Sequence, residues 1–211
     1  GTTPWGLVPI GGAPAGIWYA GGSRGGGPGG VVLVDHGAGW EALEAPAIPD
    51  LQFQGIGFDP NGDAWFAANR ADGDVLEGVL MHLRDTTFDL VSIARRSSGA
   101  FQLFAVGFNS QGYGWAVGAR APDDPFFAGN SGGPYWGESV TEEEHAGAPP
   151  AGEEGEGGAM HAVTVFGKDA GFAAGRVEEQ DPEGGFELLP RVFQLQSRPL
   201  GEMDKASPVA P

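Results

Sequence analysis

The sequence predicts an all-β fold made of about four repeated antiparallel sheets. Three observations support it: glycine accounts for 39 of the 211 residues and proline for 17, short apolar runs alternate with turn residues, and one aromatic pattern recurs along the chain. A disordered chain would lack the thirteen Phe and six Trp that are available here to build a core. Glycine-rich chains with many short strands are typical of all-β folds.

The recurring pattern is an aromatic residue followed by small residues, and its copies are about 50 residues apart. The four copies begin at Trp18, Trp65, Trp115 and Phe172. Upstream of the second and third copies, Ile56-Gly57-Phe58 and Val106-Gly107-Phe108 alternate as a strand does, and turn residues follow both. Strand, turn and aromatic strand together predict a hairpin, so the four aromatic residues are predicted to anchor equivalent inner strands.

Repeats of this length predict the blades of a β-propeller, with about four blades of three to four antiparallel strands. The ring is either closed within this chain or part of a larger one. The blades are predicted near residues 12–50, 51–98, 101–140 and 159–198, all within residues 1–200. The first copy has Pro9 and Gly11 in place of an upstream strand, so the run Val192-Phe193-Gln194-Leu195 is the candidate to complete blade 1.

Two segments depart from the repeat. Residues 137–158 contain Glu142-Glu143-Glu144 and Pro149-Pro150, and they are predicted to form a flexible acidic insertion in one blade. Residues 201–211 are predicted to be a disordered tail.

Composition excludes several functional classes. The formal net charge is −17, from 28 acidic and 11 basic residues, which argues against a nucleic-acid partner. Cysteine is absent, so disulfides, thiol catalysis and zinc–thiolate sites are excluded. No apolar run reaches the roughly 20 residues that span a bilayer, so no membrane insertion is predicted.

The segment from Leu33 to Trp40 resembles an Asp-box, whose pattern is Ser-x-Asp-x-Gly-x-x-Trp. Asp35, Gly37 and Trp40 match the pattern, and Leu33 replaces the serine. The sequence therefore resembles the Asp-box (BNR) sialidase-like β-propellers, and the run from Gly114 to Gly118 is most similar to photosystem assembly factor-like repeats. In that family the Asp accepts backbone N–H bonds in a turn and the Trp packs between sheets.

The resemblance implies a non-enzymatic module that docks a partner protein or glycan on one propeller face. It also implies a secreted, periplasmic or cell-surface location. Four arginines follow the anchors at similar distances and are predicted to ring one face as binding residues, with Trp136 as an aromatic contact; they are Arg24, Arg70, Arg120 and Arg176. Solvated loop arginines are the simpler interpretation. No tyrosine is paired with a glutamate, so sialidase activity is not predicted.

Two alternatives remain open. The stretch Gly129-Asn130-Ser131-Gly132-Gly133-Pro134 resembles the nucleophile loop of trypsin-like serine proteases, which have a double-barrel fold. Ser131 would be the nucleophile, His36 the base, and Asp63 or Asp85 the orienting acid. A structural subunit of an extracellular assembly, with this chain as an oligomer, is the other alternative.

Calcium is the one cofactor that the sequence suggests. Asp59, Asn61 and Asp63 alternate in a turn, and oxygen ligands two residues apart can surround Ca²⁺. The Glu that closes a twelve-residue calcium loop is replaced by Arg70. Asx turns explain the same residues. The four histidines lack the spacing of a zinc site.

Overall fold

The computed structural model describes residues 5–12, 16–24, 30–72, 75–94, 100–120, 124–129, 139–142, 158–167, 170–180 and 186–195. These residues form fifteen β-strands in four antiparallel blades, which confirms the predicted all-β propeller architecture. None of the described segments is a helix long and apolar enough to span a bilayer.

Each blade is a meander in which consecutive strands pair. Blade 1 has β1 (Trp5–Gly12), β2 (Trp18–Arg24), β3 (Gly30–Asp35) and β4 (Trp40–Leu43). Blade 2 has β5 (Gln52–Phe58), β6 (Ala64–Asp72), β7 (Val75–Arg84) and β8 (Thr87–Ala94). Blade 3 has β9 (Phe101–Phe108), β10 (Gly114–Arg120), β11 (Asp124–Gly129) and β12 (Ser139–Glu142). Blade 4 has β13 (Gly158–Gly167), β14 (Ala170–Gln180) and β15 (Phe186–Leu195).

The first strands of consecutive blades lie against one another, so they form the inside of the propeller. Glycine makes this approach possible in β5. A Cβ at Gly55 would lie 2.7 Å from the Phe104 carbonyl oxygen, and one at Gly57 would lie 2.6 Å from that of Val106. The alternation seen in the sequence therefore has a physical cause: apolar side chains of β5 face blade 1, and its glycines face the backbone of β9.

Three hydrophobic cores fill the spaces between blades. Between blades 1 and 2 lie Tyr19, Val32, Val34, Leu51, Phe53, Ala64, Phe66, Ala68, Met81 and Leu83. Between blades 2 and 3 lie Trp65, Ala67, Leu80, Val91, Phe101, Leu103, Val106, Ala116 and Ala128. Between blades 3 and 4 lie Trp115, Val117, Met160, Val165, Ala173 and Leu195. The second strand of each inner blade therefore contributes to two cores, one from each of its faces.

The four predicted anchors do not share one environment. Trp65 and Trp115 are each 1% exposed, and each packs against the blade that follows it. Phe172 also turns away from blade 3, but it is 39% exposed. Trp18 is 51% exposed, because its neighbour Tyr19 is the residue that packs against blade 2. Successive side chains of a strand point to opposite faces. Tyr19, and not Trp18, is therefore the residue of blade 1 that corresponds to Trp65 and Trp115.

A polar contact joins blades 2 and 3 inside their shared core. The side-chain amide of Asn69 donates to the Leu103 carbonyl oxygen at 3.1 Å, and its oxygen accepts the Leu103 N–H at 2.8 Å. Asn69 is buried. Leu103 adjoins a break in the β9–β10 register, where the chain has one residue more than its partner. A bulge leaves backbone groups without ladder partners, and Asn69 bonds them.

The first strand of every blade has a register break near the same level. In β5 it lies between Phe53 and Gly55, in β9 opposite Val117 and Gly118, and in β13 between Met160 and Ala162. Strand β1 is irregular between Leu7 and Ile10. The residues inserted in the last three blades are Gln54, Phe104 and His161, and the rings of the last two stack at 4.9 Å. This repeated bulge is a shared feature that the sequence pattern did not reveal.

Two predictions about chain order are wrong. The run Val192-Phe193-Gln194-Leu195 belongs to β15 and pairs with β14, so it does not complete blade 1. Blade 1 has its own first strand, because β1 pairs with β2 despite Pro9 and its glycines.

Part of the predicted insertion at 137–158 is a strand. Strand β12 pairs with β11 and also, in parallel, with β8 of blade 2. Blades 2 and 3 consequently share one eight-stranded sheet through their outer strands. The rest of the insertion up to Gly157 and the predicted tail at 201–211 lie outside the described residues.

Candidate functional site

The described turns that follow the first or third strand of a blade lie at one end of the blades, here called the upper rim. It is formed by the turns Asp35–Gly39, Asp59–Asp63, Asp85–Thr86 and Asn109–Tyr113. Strands β5 and β9 run in the same direction, since Gly55 lies over Phe104 and Gly57 over Val106. The hairpins at the tops of blades 2 and 3 therefore lie side by side.

The rim turns are held by one repeated hydrogen-bond pattern. Asp59 Oδ1 accepts the N–H groups of Asn61 and Asp63 at 2.8 and 3.1 Å. Asn109 Oδ1 accepts those of Gln111 and Tyr113 at 2.9 and 3.0 Å. In blade 1, Asp35 Oδ1 accepts those of Gly37 and Gly39 at 2.7 and 3.0 Å. Each acidic or amide side chain thus fixes the turn that follows it, as Asx turns do.

Glycine is required at a defined place in these turns. Gly62 has φ of 89° and Gly112 has φ of 87°, a conformation that other residues adopt at a cost. Both donate backbone N–H bonds, at 3.0 and 3.1 Å, to the carbonyl oxygen of the Asp or Asn that caps the turn. The two hairpins therefore have the same backbone while their exposed residues differ.

A group of polar side chains, the blade-2 cluster, lies below the Asp59 turn. It consists of Asp59, Asp63, Trp65, His82 and Arg84. Pairing of β6 with β7 puts His82 opposite Trp65, and their rings stack with centroids 4.0 Å apart. His82 Nε2 lies 3.1 Å from Asp63 Oδ2, and the Trp65 indole N–H donates to Asp59 Oδ2 at 3.4 Å.

The cluster fixes the protonation of its buried histidine. Arg84 Nε donates to His82 Nδ1 at 3.2 Å, so Nδ1 accepts and the ring proton is on Nε2, which donates to Asp63. Burial lowers the pKa of His82 below its usual value, although the Asp63 carboxylate opposes this. Both ring nitrogens are thus engaged and the ring is neutral at pH 7. In blade 1, burial raises the pKa of the Tyr19 hydroxyl, and the nearby Asp63 carboxylate raises it further.

The calcium residues of the sequence analysis belong to this cluster in part. Ligand atoms of Asp59, Asp63 and His82 lie within 4.8 Å of one another. Asp59 accepts N–H hydrogen bonds with both oxygens, and Asp63 Oδ2 accepts a hydrogen bond from His82 Nε2–H. Asn61 takes part through its backbone N–H. Calcium prefers oxygen ligands, and both oxygens of Asp59 and Oδ2 of Asp63 already accept hydrogen bonds. The Asx turn thus places Asp59 and the backbone of Asn61 and Asp63, whereas the Asp63 side chain is placed by His82; calcium binding here stays a prediction.

The protease residues are not assembled by the described part of the chain. The blades differ from the double-barrel fold that the trypsin-like alternative implies. Asp63 bonds His82 rather than His36, which is exposed in the Asp35 turn. Asp85 is exposed in the β7–β8 turn with φ of 53°. Ser131 lies outside the described residues.

The four predicted binding arginines all lie in the lower halves of second strands, away from the upper rim. Arg70 pairs with Glu77 at 2.6 Å, Arg120 is half-buried, and Arg176 is exposed. Arg24 ends β2, and its side chain is outside the described residues, as is all of Trp136. Strand alternation turns Arg176 to the face of Phe172, whereas Arg70 lies on the face opposite Trp65. Arg70 and Arg176 therefore project from opposite sheet faces of their blades, and a binding role for the four arginines on one propeller face stays a prediction.

No protein-family model matches the sequence, and no curated protein matches it. Among solved structures, a protein of unknown function from Dyadobacter fermentans superposes with a TM-score of 0.54 at 14% identity; the match covers 89% of this chain and 59% of that one. Regucalcin, a calcium-binding protein from Agrobacterium tumefaciens, superposes with a TM-score of 0.44 at 15% identity, over 91% and 62% of the two chains. The chain spans about three-fifths of their length. At 14% identity the likeness to the Dyadobacter fermentans protein is one of fold, and this chain is similar to part of that larger protein.

Proposed function

We propose that this chain is a non-enzymatic binding module whose upper rim docks a partner protein with a cationic surface. The observation that carries the proposal is the repeated turn. Asp59 and Asn109 hold the same backbone, while the exposed tip residues are Pro60 and Asn61 in one hairpin and Ser110 and Gln111 in the other. A constant, rigid frame with differing exposed side chains is how scaffolded loops achieve recognition.

Charge favours a cationic partner over a neutral glycan. The chain has a formal net charge of −17, and its rim carries an exposed acid at Asp85. Complementary fields accelerate encounter and improve specificity more than they add affinity. Binding at this rim should therefore weaken as salt increases.

The blade-2 cluster supports a binding role over a catalytic one. A general base needs a ring nitrogen that can reach the substrate, and both nitrogens of His82 are already engaged by Asp63 and Arg84. The cluster instead stiffens the rim beneath the Asp59 turn. Arg84 also pairs with Asp89 at 3.2 Å, which extends the network to strand β8.

We also propose that the chain is a degenerate Asp-box propeller that acts outside the cytoplasm. Support comes from Asp35, which accepts two backbone N–H bonds as the aspartate of that motif does. Trp40 departs from the motif's packing role, since it is exposed. Because the chain has no cysteine, disulfide bonds give no information about its cellular compartment. Localisation of a tagged protein in fractionated cells is the direct test.

The rim can be tested with a matched pair of charge reversals. Asp85 lies on the rim with φ of 53°, and Asp50 precedes β5 at the lower end with φ of 49°; both are exposed. Asp85→Lys and Asp50→Lys therefore change charge and backbone strain equally. With a Lys/Arg-rich peptide as probe, we expect Asp85→Lys to weaken binding about threefold at low salt and Asp50→Lys to leave it nearly unchanged.

Three results would contradict the proposal. Equal effects of the two variants would place binding elsewhere or make it non-specific. Salt-independent binding to a neutral glycan array would identify a glycan module instead. Labelling of Ser131 by a fluorophosphonate probe, lost on substitution of His36, would show hydrolase chemistry.

A further inference from the structure

Three inserted residues lie at one level of the propeller and belong to none of its described cores. They are Gln54, Phe104 and His161, one in the first strand of each of blades 2, 3 and 4. Residues two apart in a regular strand share a face, but here Leu103 packs on blade 2 and Ala105 on blade 4. The inserted residue between them is therefore left at the free edge of the strand, outside both faces of the sheet.

The free edges of the first strands face the inside of the propeller. Strands β5 and β9 are the two ends of the shared eight-stranded sheet, and β13 is an end of the blade-4 sheet. The edges of β5 and β9 are close at the level of the insertions, because a Cβ at Gly55 would lie 2.7 Å from the Phe104 carbonyl oxygen. Gln54 is therefore the blade-2 neighbour of Phe104. Inner edges line the axis of a propeller whatever the number of its blades.

Two of the inserted side chains form an aromatic stack between blades 3 and 4. The rings of Phe104 and His161 have centroids 4.9 Å apart and planes at 27°. Since neither ring is part of an interblade core, the stack indicates that both project from neighbouring inner edges. His161 is exposed, whereas Phe104 and Gln54 are half-buried, so all three side chains reach solvent. The inside of the propeller thus has an aromatic surface with an amide side chain beside it.

We infer that Gln54, Phe104 and His161, here called the inner cluster, bind a small, flat and uncharged nitrogen heterocycle of the purine type. Aromatic and imidazole rings stack on the flat face of such a molecule. The Gln54 amide offers a donor and an acceptor to its polar edge, and free strand edges add unpaired N–H and C=O groups. The formal net charge of −17 disfavours a ligand that carries a phosphate.

The inner cluster is separate from the upper rim. Phe104 lies four residues before Phe108, the last residue of β9, which corresponds to about 13 Å along the strand. The inference therefore goes beyond the proposed function, because it adds a small molecule to the proposed partner protein and uses none of the rim residues.

Titration of the intact chain with adenosine, followed by NMR signals of the His161 ring and of the ligand, tests the inference. We expect a dissociation constant of about 0.1–1 mM, as for a small ligand held by one stacking contact and a few hydrogen bonds. Ribose, which lacks the base, should not bind. Adenosine monophosphate should bind about threefold more weakly than adenosine at low salt. No binding of adenosine up to its solubility limit, equal binding of ribose, or tighter binding of the monophosphate would overturn the inference.

Two matched pairs of substitutions locate the site. Phe104→Leu removes the stacking ring and should weaken adenosine binding about tenfold. Its control is Phe88→Leu, since Phe88 is also half-buried but lies in β8, the last strand of blade 2. His161→Ala should weaken binding about threefold, whereas His36→Ala, in the exposed turn after β3, should leave it unchanged. Both histidines are exposed, so this second pair keeps the test valid if Phe104→Leu does not fold. Equal effects within the histidine pair would refute the site.

The rim and the inner cluster fail separately. Asp85→Lys should leave adenosine binding unchanged, and His161→Ala should leave binding of the Lys/Arg-rich peptide unchanged. A chain that binds adenosine but not the peptide would refute the rim proposal alone, and a chain that binds the peptide but not adenosine would refute the inner site alone.

Discussion

Removal of the Asn69 side chain should lower the free energy of unfolding by more than the loss of a small polar side chain usually does. Asn69 is buried, and its two hydrogen bonds to Leu103, at 2.8 and 3.1 Å, join blades 2 and 3. Asn69→Ala leaves the N–H and carbonyl of Leu103 without these partners in a closed core, at about 1–3 kcal/mol for each buried unsatisfied group. Partial relaxation and entry of water reduce the sum, so we expect the free energy of unfolding to fall by about 2–4 kcal/mol.

Urea unfolding followed by tryptophan fluorescence measures this change, with the denaturant slope expected to stay constant. Asn61→Ala is the control, because Asn61 is exposed and contributes its backbone N–H to the turn; it should change stability by less than about 0.5 kcal/mol. Asn69→Asp should lower stability at least as much as Asn69→Ala, since it buries a carboxylate and turns one of its oxygens toward the Leu103 carbonyl oxygen. A loss below about 0.5 kcal/mol for Asn69→Ala would refute the reasoning that the interblade bond is structural.

Three further predictions concern the rim and the inner strands. Asn109→Asp should raise the free energy of unfolding by about 1 kcal/mol in thermal melts, because the buried Nδ2 of Asn109 has no partner where Asp59 accepts an indole N–H. Gly57→Ala should lower it by about 1–3 kcal/mol in urea, because the new Cβ would lie 2.6 Å from a carbonyl oxygen. The pKa of His82 is lowered on folding, so the unfolded chain takes up the proton first; stability should fall as the pH drops through 6.5, less so in His82→Gln.

The blade architecture was predictable because its cause is local. Glycines in β5 and the turn residues after β5 and β9 repeat at the period of the fold, and each has a direct physical role. The Asp35 turn was implied by the resemblance of residues 33–40 to an Asp-box. Its aspartate does accept the backbone N–H groups of Gly37 and Gly39.

The sequence alignment of blade 1 with the other blades was wrong by one residue. A shift of one residue in a strand moves every side chain to the other face, and an aromatic pair such as Trp18-Tyr19 contains both choices. The alignment chose Trp18, whereas Tyr19 packs on blade 2. The repeated bulges could not be predicted from the sequence for a different reason. The inserted residues share only their backbone position and have no common side-chain chemistry; they are Gln54, Phe104 and His161.

The blade-2 cluster was recognised only in part. Asp59 and Asp63 stood out by their spacing, but His82 is 19 residues from Asp63 and reaches it through the β6–β7 pairing. Trp65, taken as a packing anchor, also stacks on that histidine. Strand register would have revealed the group, because residues paired directly across a hairpin lie on one face.

The parallel pairing of β12 with β8 affects how the molecule opens. Outer strands of separate sheets expose unpaired edges, which fray first and recruit strands from other chains. Here hydrogen bonds run without interruption from β5 outward, across β8 and β12, and back inward to β9, which itself lies against β5. We therefore expect blades 2 and 3 to open as one cooperative unit, so that amide exchange in β8 and β12 requires both sheets to open together.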